Sequence, residues 1–117
     1  FGFPFIARRT LVNNLNLPKI LAVAGKKPWE INHLDTMALW RFGDYKNHTP
    51  IKLLASLFNI KTPKEDLNVV QVADIYYKGK ELERIKDYCQ KNTITVAQLF
   101  LRYRGEELIK EENIEFA

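Results

Sequence analysis

The stretch that most constrains the fold is the apolar periodicity of residues 80–104. Its apolar side chains recur in steps of three or four residues with one step of seven: Leu82, Ile85, Cys89, Val96, Leu99 and Tyr103. This spacing predicts a single amphipathic helix with one face packed against the rest of the chain. The step of seven passes over Asn92, which occupies the missing apolar position. Tyr88 lies four residues earlier and therefore on the same face.

From the residues alone, Asn92 has three interpretations. The first is a buried amide whose polar atoms are satisfied by backbone groups. The second is an N-cap at which one helix ends and another begins, which suits the β-branched run from Thr93 to Val96. The third is a functional residue that faces inward.

The remaining chain predicts short helices and loops. A first helix is predicted over residues 4–15, with Pro4 tolerated in its first turn and one apolar side formed by Phe5, Ile6, Leu11, Val12 and Leu15. Residues 16–30 are predicted to be mostly loop. Residues 30–40 are predicted as a short strand that runs into a helical turn.

Two further helices are predicted in the middle of the chain. Thr49 is a candidate N-cap, with Pro50 at the first helical position and an apolar stripe that follows it. Residues 69–79 are predicted as a short helix that ends at Gly79.

Length and composition predict a single small domain over residues 1–117, with a hydrophobic content of 46% to form its core. No apolar run reaches the roughly 18 residues of a membrane span, and we expect no membrane partner. The lone Cys89 cannot form an internal disulfide, so a reduced, cytoplasmic setting is expected. The net charge of +4 is scattered along the chain and is compatible with a nucleic acid without requiring one.

Four short motifs follow one another along the chain: "GKKPWE" at 25–30, "HLDTM" at 33–37, "FGDYKN" at 42–47 and "YCQK" at 88–91. In this order, they resemble the predicted 3′–5′ exonucleases related to the exonuclease domain of B-family DNA polymerases, within the DEDD superfamily. The resemblance covers nearly the whole chain. It implies an α/β fold, of which this chain is the C-terminal part of an RNase H-like exonuclease domain. The chain as given should be helix-rich, with the N-terminal strands missing.

The residues depart from the family pattern at its metal-binding positions. The third motif of the family is Tyr, three residues, then Asp; Tyr88 fits it, and Asn92 stands at the Asp position. The second motif ends in Phe-Asp; Phe1 fits it, and Gly2 stands at the Asp position. A loop that resembles Asp-Gly-Ser in the family is Asn68, Val69 and Val70 in this chain.

The resemblance implies metal-dependent 3′–5′ exonucleolysis of DNA, with single-stranded DNA expected rather than RNA, in a DNA repair role. Two Mg²⁺ or Mn²⁺ ions held by four carboxylates would perform the hydrolysis, and Tyr88 would orient the attacking water. Asn92 offers only a neutral oxygen and Gly2 offers no side chain. We therefore expect a truncated, catalytically impaired member that binds these ions weakly. The alternatives are a non-catalytic single-stranded nucleic-acid-binding module and a structural or partner-binding fragment.

Several other side chains have a functional and a structural interpretation. Lys46, Lys64 and Lys91 are candidate contacts to a phosphate backbone, with solvated surface as the alternative. Asp35 is interpreted as a carboxylate bonded to nearby groups, and Asp87 points about 100° around the helix from Tyr88. Cys89 is expected on a buried face. Four aromatic side chains are expected in the core rather than as base-stacking platforms: Trp29, Trp40, Phe42 and Tyr45.

Overall fold

The computed structural model describes residues 2–62, 67, 69–79 and 81–117. The chain divides into two compact units, Phe1–Leu34 and Asp35–Ala117. The regular elements in the described ranges are helical and include no strand. The helix-rich character is thus confirmed, whereas the strand predicted before residue 36 is wrong. The α/β class and the single domain over residues 1–117 stay predictions.

The first unit consists of helix α1, Gly2–Val12, and two 3₁₀ turns, Lys19–Leu21 and Pro28–Glu30. The predicted first helix is confirmed, with Pro4 in its first turn, where a missing N–H costs no hydrogen bond. The ring of His33 stacks on Phe3 with 3.8 Å between ring centroids, and its Nε2 lies 2.8 Å from the Ile20 carbonyl oxygen. These contacts tie both ends of the unit together.

The apolar side of α1 lies at the surface. The side chains that the sequence places on that side are all exposed: Phe5, Ile6, Leu11, Val12 and Leu15. Among the side chains of this unit that the structure describes, Leu21 is the buried one. The first unit is therefore held together mainly by local hydrogen bonds and ring contacts.

The second unit contains α2 (Thr36–Arg41), α3 (Ile51–Leu57), α4 (Val69–Asp74) with a π turn (Ile75–Gly79), α5 (Leu82–Tyr103) and a 3₁₀ turn (Glu111–Asn113). Helices α2 and α3 pack on α5. The buried centre is formed by Leu54, Ala55, Ile60 and Leu99. Trp40, Phe58 and Tyr103 surround it in mutual ring contacts. Full burial of such apolar side chains stabilises a fold by roughly 1.5–3 kcal/mol each.

Helices α1, α3 and α5 end in the same way. A residue in the left-handed region follows each helix: Asn14 (φ 55°), Asn59 (φ 55°) and Gly105 (φ 71°). The next amide then donates back across the last turn, as Ile60 N does to the Ala55 carbonyl oxygen over 2.8 Å. Asn and Gly tolerate this conformation, so a single residue near the end of each helix determines where the helix stops. The returning Ile60 side chain enters the core directly after α3.

The N-cap positions of α2 and α3 confirm one expectation and correct another. Asp35 caps α2, because its Oδ1 accepts from Met37 N over 2.8 Å, which confirms its interpretation as a backbone-bonded carboxylate. Thr49 is not the N-cap of α3, since Pro50 occupies that position. The Thr49 hydroxyl instead accepts from Trp40 Nε1 over 3.0 Å. The Thr49 hydroxyl, which the sequence pattern assigned to the helix N-terminus, therefore binds the partly buried Trp40 indole instead.

Helix α5 runs unbroken for 22 residues, so Asn92 is not an N-cap between two helices. The hydroxyls of Thr93 and Thr95 donate to carbonyl oxygens four residues earlier, so both polar groups are satisfied inside the helix. The buried face differs from the predicted one. It follows Tyr88, Asn92, Thr95 and Leu99, with Thr95 and Leu99 fully buried. Cys89 is exposed, and its predicted burial is wrong.

The C-terminal segment, residues 107–117, lies along another side of α5. The Gln98 side chain makes two hydrogen bonds with Ile109, donating to its carbonyl oxygen and accepting from its amide, both over 2.8 Å. Nearer the helix start, Gln90 Nε2 donates to the Ala117 carbonyl oxygen over 3.1 Å. Two glutamines on one side of α5 thus fix this segment antiparallel to the helix. In the described part of the chain, no helix has the length and apolar character to cross a membrane.

Candidate functional site

Tyr88 and Asn92 lie on consecutive turns of α5, as the spacing predicts. Both side chains are half-buried. The Asn92 amide makes no hydrogen bond to any side chain or backbone group that the structure describes. The interpretation of Asn92 as a buried amide satisfied by backbone partners is therefore not supported. Within the described residues, no hydrogen bond of its side chain accounts for its position on the inner side of the helix.

A groove with a volume of about 1100 Å³ runs between α5 and the C-terminal segment, and Tyr88 and Lys91 line it. Its floor is apolar, with Ile60, Ile94 and Leu108. Asn92 is not among the described residues that line the groove. The structure therefore brings Tyr88 and Lys91 into one concave surface and directs Asn92 to the neighbouring side of the helix.

The groove is lined by charges of both signs, with one more basic than acidic side chain. The acidic lining residues are Glu83, Asp87 and Glu111, and the basic ones are Lys61, Arg84, Lys91 and Lys110. Lys61 forms an ion pair with Glu111 across the groove. Glu83 pairs with Lys86 on the same helix. These pairs are exposed and contribute little stability, but they neutralise two of the carboxylates that a cation would need. No local pattern in the sequence indicates this groove, because its second wall comes from residues 107–117.

Gly2 opens helix α1 in the first unit. A Cβ atom built at this position meets no atom within 4 Å. An aspartate would therefore fit there without a clash, and the first turn of a helix favours a carboxylate. The glycine is not required by the backbone of this unit.

The other predicted site residues are spread over the chain. Lys46 follows α2 on an exposed loop. Val69 and Val70 open helix α4. Phe1, Lys64 and Asn68 lie outside the described residues.

The four aromatic side chains expected in the core divide unequally. Trp40 is in the core. Trp29, Phe42 and Tyr45 have 77%, 92% and 77% of their surface exposed, so the core interpretation is wrong for these three. The Lys27 ammonium lies 5.2 Å from the Trp29 ring centroid. The signal that could have found Phe42 is the Gly43 that follows it, since glycine after a helix marks a turn at the surface.

A family model described as a predicted 3′–5′ exonuclease related to the exonuclease domain of PolB matches residues 1–113. The chain belongs to this exonuclease family. No match is found among curated proteins or among solved structures. The resemblance inferred from the four motifs is confirmed, and the match includes Gly2, Tyr88 and Asn92.

Exonucleases of this kind generally use divalent metals, so the residues at the family positions can be tested for fit. Mg²⁺ and Mn²⁺ take anionic oxygen ligands. Gly2 supplies no ligand atom and Asn92 supplies a neutral one. Among the described residues, no group of three or more acidic, histidine or cysteine side chains is close enough to hold a metal. The described residues of this exonuclease-family chain do not fit a two-metal centre.

Proposed function

We propose that the chain is part of a 3′–5′ exonuclease of this family, that its substrate is single-stranded DNA, and that hydrolysis by the chain alone is impaired. Family membership supports the nucleic-acid substrate. In the intact family site the metal is Mg²⁺ or Mn²⁺. The proposed loss of hydrolysis comes from the missing carboxylates and not from the helix that carries Tyr88 and Asn92, because α5 is continuous.

The observation that carries the impairment is the pair of Tyr88 and Asn92 on one continuous helix. The tyrosine stands where it could orient a water molecule, but the residue one turn later is a neutral amide. A carboxylate at that position would supply both a charge and a ligand to a divalent cation. The amide supplies neither a charge nor, within the described residues, a hydrogen bond that would explain its place as structural.

A specific observation also favours the second candidate, a module that binds single strands without cutting them. Residues 1–34 contain five basic side chains and one acidic side chain, Glu30, and therefore carry the whole net charge of +4. All five basic side chains are exposed: Arg8, Arg9, Lys19, Lys26 and Lys27. Such a surface binds polyanions with an affinity that falls steeply as salt rises.

The test is a calorimetric Mn²⁺ titration of the chain beside the double variant Gly2→Asp with Asn92→Asp. We expect heat of binding in the double variant and none in the native chain. A matched control, Gly2→Asp with Thr93→Asp, adds the same charge but places the second carboxylate at an exposed position of α5. Equal binding by the native chain would contradict the impairment. Equal gain in the control would show that any added carboxylate suffices.

Binding and cleavage are separated with a short oligothymidine labelled at its 5′ end, incubated with Mn²⁺. The native chain should bind the oligonucleotide, with an affinity that decreases with salt, and should leave its length unchanged. Progressive shortening from the 3′ end would refute the impairment while supporting the family activity. Absence of binding at low salt would refute the nucleic-acid function.

A further inference from the structure

The segment of residues 41–47, which begins at the last residue of α2, presents two exposed aromatic rings on a backbone that is held in place. We name this segment the aromatic loop. Phe42 has φ 45° and Gly43 has φ 89°, so the chain leaves the helix through two consecutive left-handed residues. Asp44 N donates to the Arg41 carbonyl oxygen over 2.8 Å and closes the turn.

Phe42 is an unusual residue at this position. The left-handed conformation after a helix favours glycine or asparagine and is unfavourable for a bulky side chain. Burial of the ring would compensate for the strain, but 92% of the Phe42 surface is exposed. Neither backbone preference nor packing within the described residues accounts for a phenylalanine here. A strained, exposed residue of this kind is typical of a binding site.

The second half of the aromatic loop is fixed by Asp44. Its Oδ1 accepts from Lys46 N over 3.1 Å, and its Oδ2 accepts from Asn47 Nδ2 over 2.8 Å. These hydrogen bonds lower the pKa of Asp44 and occupy both of its oxygens. The carboxylate therefore serves the loop itself and positions the exposed residues on either side of it.

Tyr45 and the neighbouring cations complete the surface. The Tyr45 ring is 77% exposed, and the Arg41 guanidinium lies 5.8 Å from its centroid. The Lys46 side chain forms no ion pair with the part of the chain that the structure describes. The aromatic loop thus holds two exposed rings and two cations, with a single carboxylate that is already hydrogen-bonded.

We infer that the aromatic loop binds single-stranded nucleic acid, with a base stacked on Phe42 or Tyr45 and the backbone phosphate facing Lys46 and Arg41. This inference rests on the proposed function and adds to it a contact site outside the motif residues Gly2, Tyr88 and Asn92. Aromatic rings accept any base, and cations beside them track the phosphates, so the site would be tolerant of sequence. Single strands are favoured over duplexes because stacking needs an unpaired base.

The test measures the affinity of the full chain for a short fluorescein-labelled oligothymidine by anisotropy at low salt. The variant Phe42→Gly is decisive, because glycine suits the left-handed backbone while removing the ring. It should melt at the same or a higher temperature than the native chain and bind roughly tenfold more weakly. Phe42→Trp should retain the affinity, and its added indole fluorescence should be quenched by the oligonucleotide.

The matched control is Tyr77→Ala, which removes another tyrosine that is 77% exposed in the same unit. Tyr45→Ala should weaken binding roughly tenfold and Tyr77→Ala should leave it unchanged. If Phe42→Gly and Tyr45→Ala bind as the native chain does, the inference is wrong and the proposed function stands. If the native chain does not bind, both are wrong. If Phe42→Gly and Tyr45→Ala lose as much affinity for duplex DNA as for the single strand, the stacking of an unpaired base is overturned.

Discussion

The two units of this protein differ in how they use their side chains. Residues 35–117 bury a contiguous apolar centre around Leu99, and their basic and acidic side chains balance to zero net charge. Residues 1–34 bury Leu21 among the described side chains, expose one side of α1, and carry the net charge of +4. The second unit thus contains the buried apolar centre, and the first unit carries the net positive charge. Mutations in the two units should therefore affect different observables.

The largest expected effect is the loss of stability from Leu99→Ala. Only 1% of the Leu99 surface is exposed, and it contacts the buried residues of α3. The truncation should lower the free energy of unfolding by about 3 kcal/mol, through lost burial and the cavity that remains. Leu11→Ala on the exposed side of α1 should change it by less than about 0.5 kcal/mol. Urea unfolding of the two variants measures this difference. Equal losses of unfolding free energy would show that the two units do not differ in how much their apolar side chains stabilise the fold.

The next effect concerns the C-terminal segment of the second unit. Gln98→Ala removes both hydrogen bonds to Ile109 and should cost about 2 kcal/mol, because two backbone groups lose their partner. Hydrogen exchange at the Ile109 amide should accelerate. Gln90→Ala removes one hydrogen bond and serves as the milder control. Unchanged exchange at Ile109 would show that the segment is held by the apolar groove alone.

The first unit should dominate the salt dependence of nucleic-acid binding. The double variant Lys26→Gln with Lys27→Gln should weaken binding of single-stranded DNA about tenfold at low salt and reduce the salt slope by about 1.4. The matched control is Lys78→Gln with Lys86→Gln in the second unit, where both cations are paired with carboxylates. Anisotropy titrations at several salt concentrations measure both. Similar losses in the two double variants would show that the charge of the first unit does not direct the binding of nucleic acid.

The smallest effect is expected at Tyr103, whose buried hydroxyl has no hydrogen-bond partner in the described ranges. Burial raises the pKa of Tyr103 above its ordinary value, so the fold favours the neutral phenol. The stability that the neutral Tyr103 phenol contributes is fully present below the pKa of a tyrosine in the unfolded chain, about 10, and is lost as the pH rises through the higher pKa of the folded state. Tyr103→Phe should change stability at neutral pH by less than about 0.5 kcal/mol.

The check on Tyr103 is thermal melting of the native chain and of Tyr103→Phe between neutral and strongly alkaline pH. The native chain should lose more stability than the variant at the alkaline end. Superimposable profiles would mean that the phenol is solvated. The aromatic cluster of Trp40, Phe58 and Tyr103 would then be looser than its ring contacts indicate.

The sequence by itself determined most of the helices and the family. Residues 80–104 have a helical period long enough to predict α5, and Gly79 marks the end of the preceding turn because glycine ends helices at low cost. The order of the four motifs determined the family, and the amide at Asn92 and the glycine at Gly2 are visible without any structure. These features depend on short-range spacing and on side-chain chemistry, which the sequence states directly.

Only the tertiary structure decided which side of each element is buried. Periodicity groups residues on one face, but the partner that packs there selects the face. Leu54, Ala55 and Ile60 pack on Leu99, so Thr95 is buried while Cys89 is exposed. The groove beside Tyr88 and the exposed ring of Phe42 also depend on segments that meet only after folding. Burial is a property of pairs of distant segments, and no single stretch of sequence contains both members of the pair.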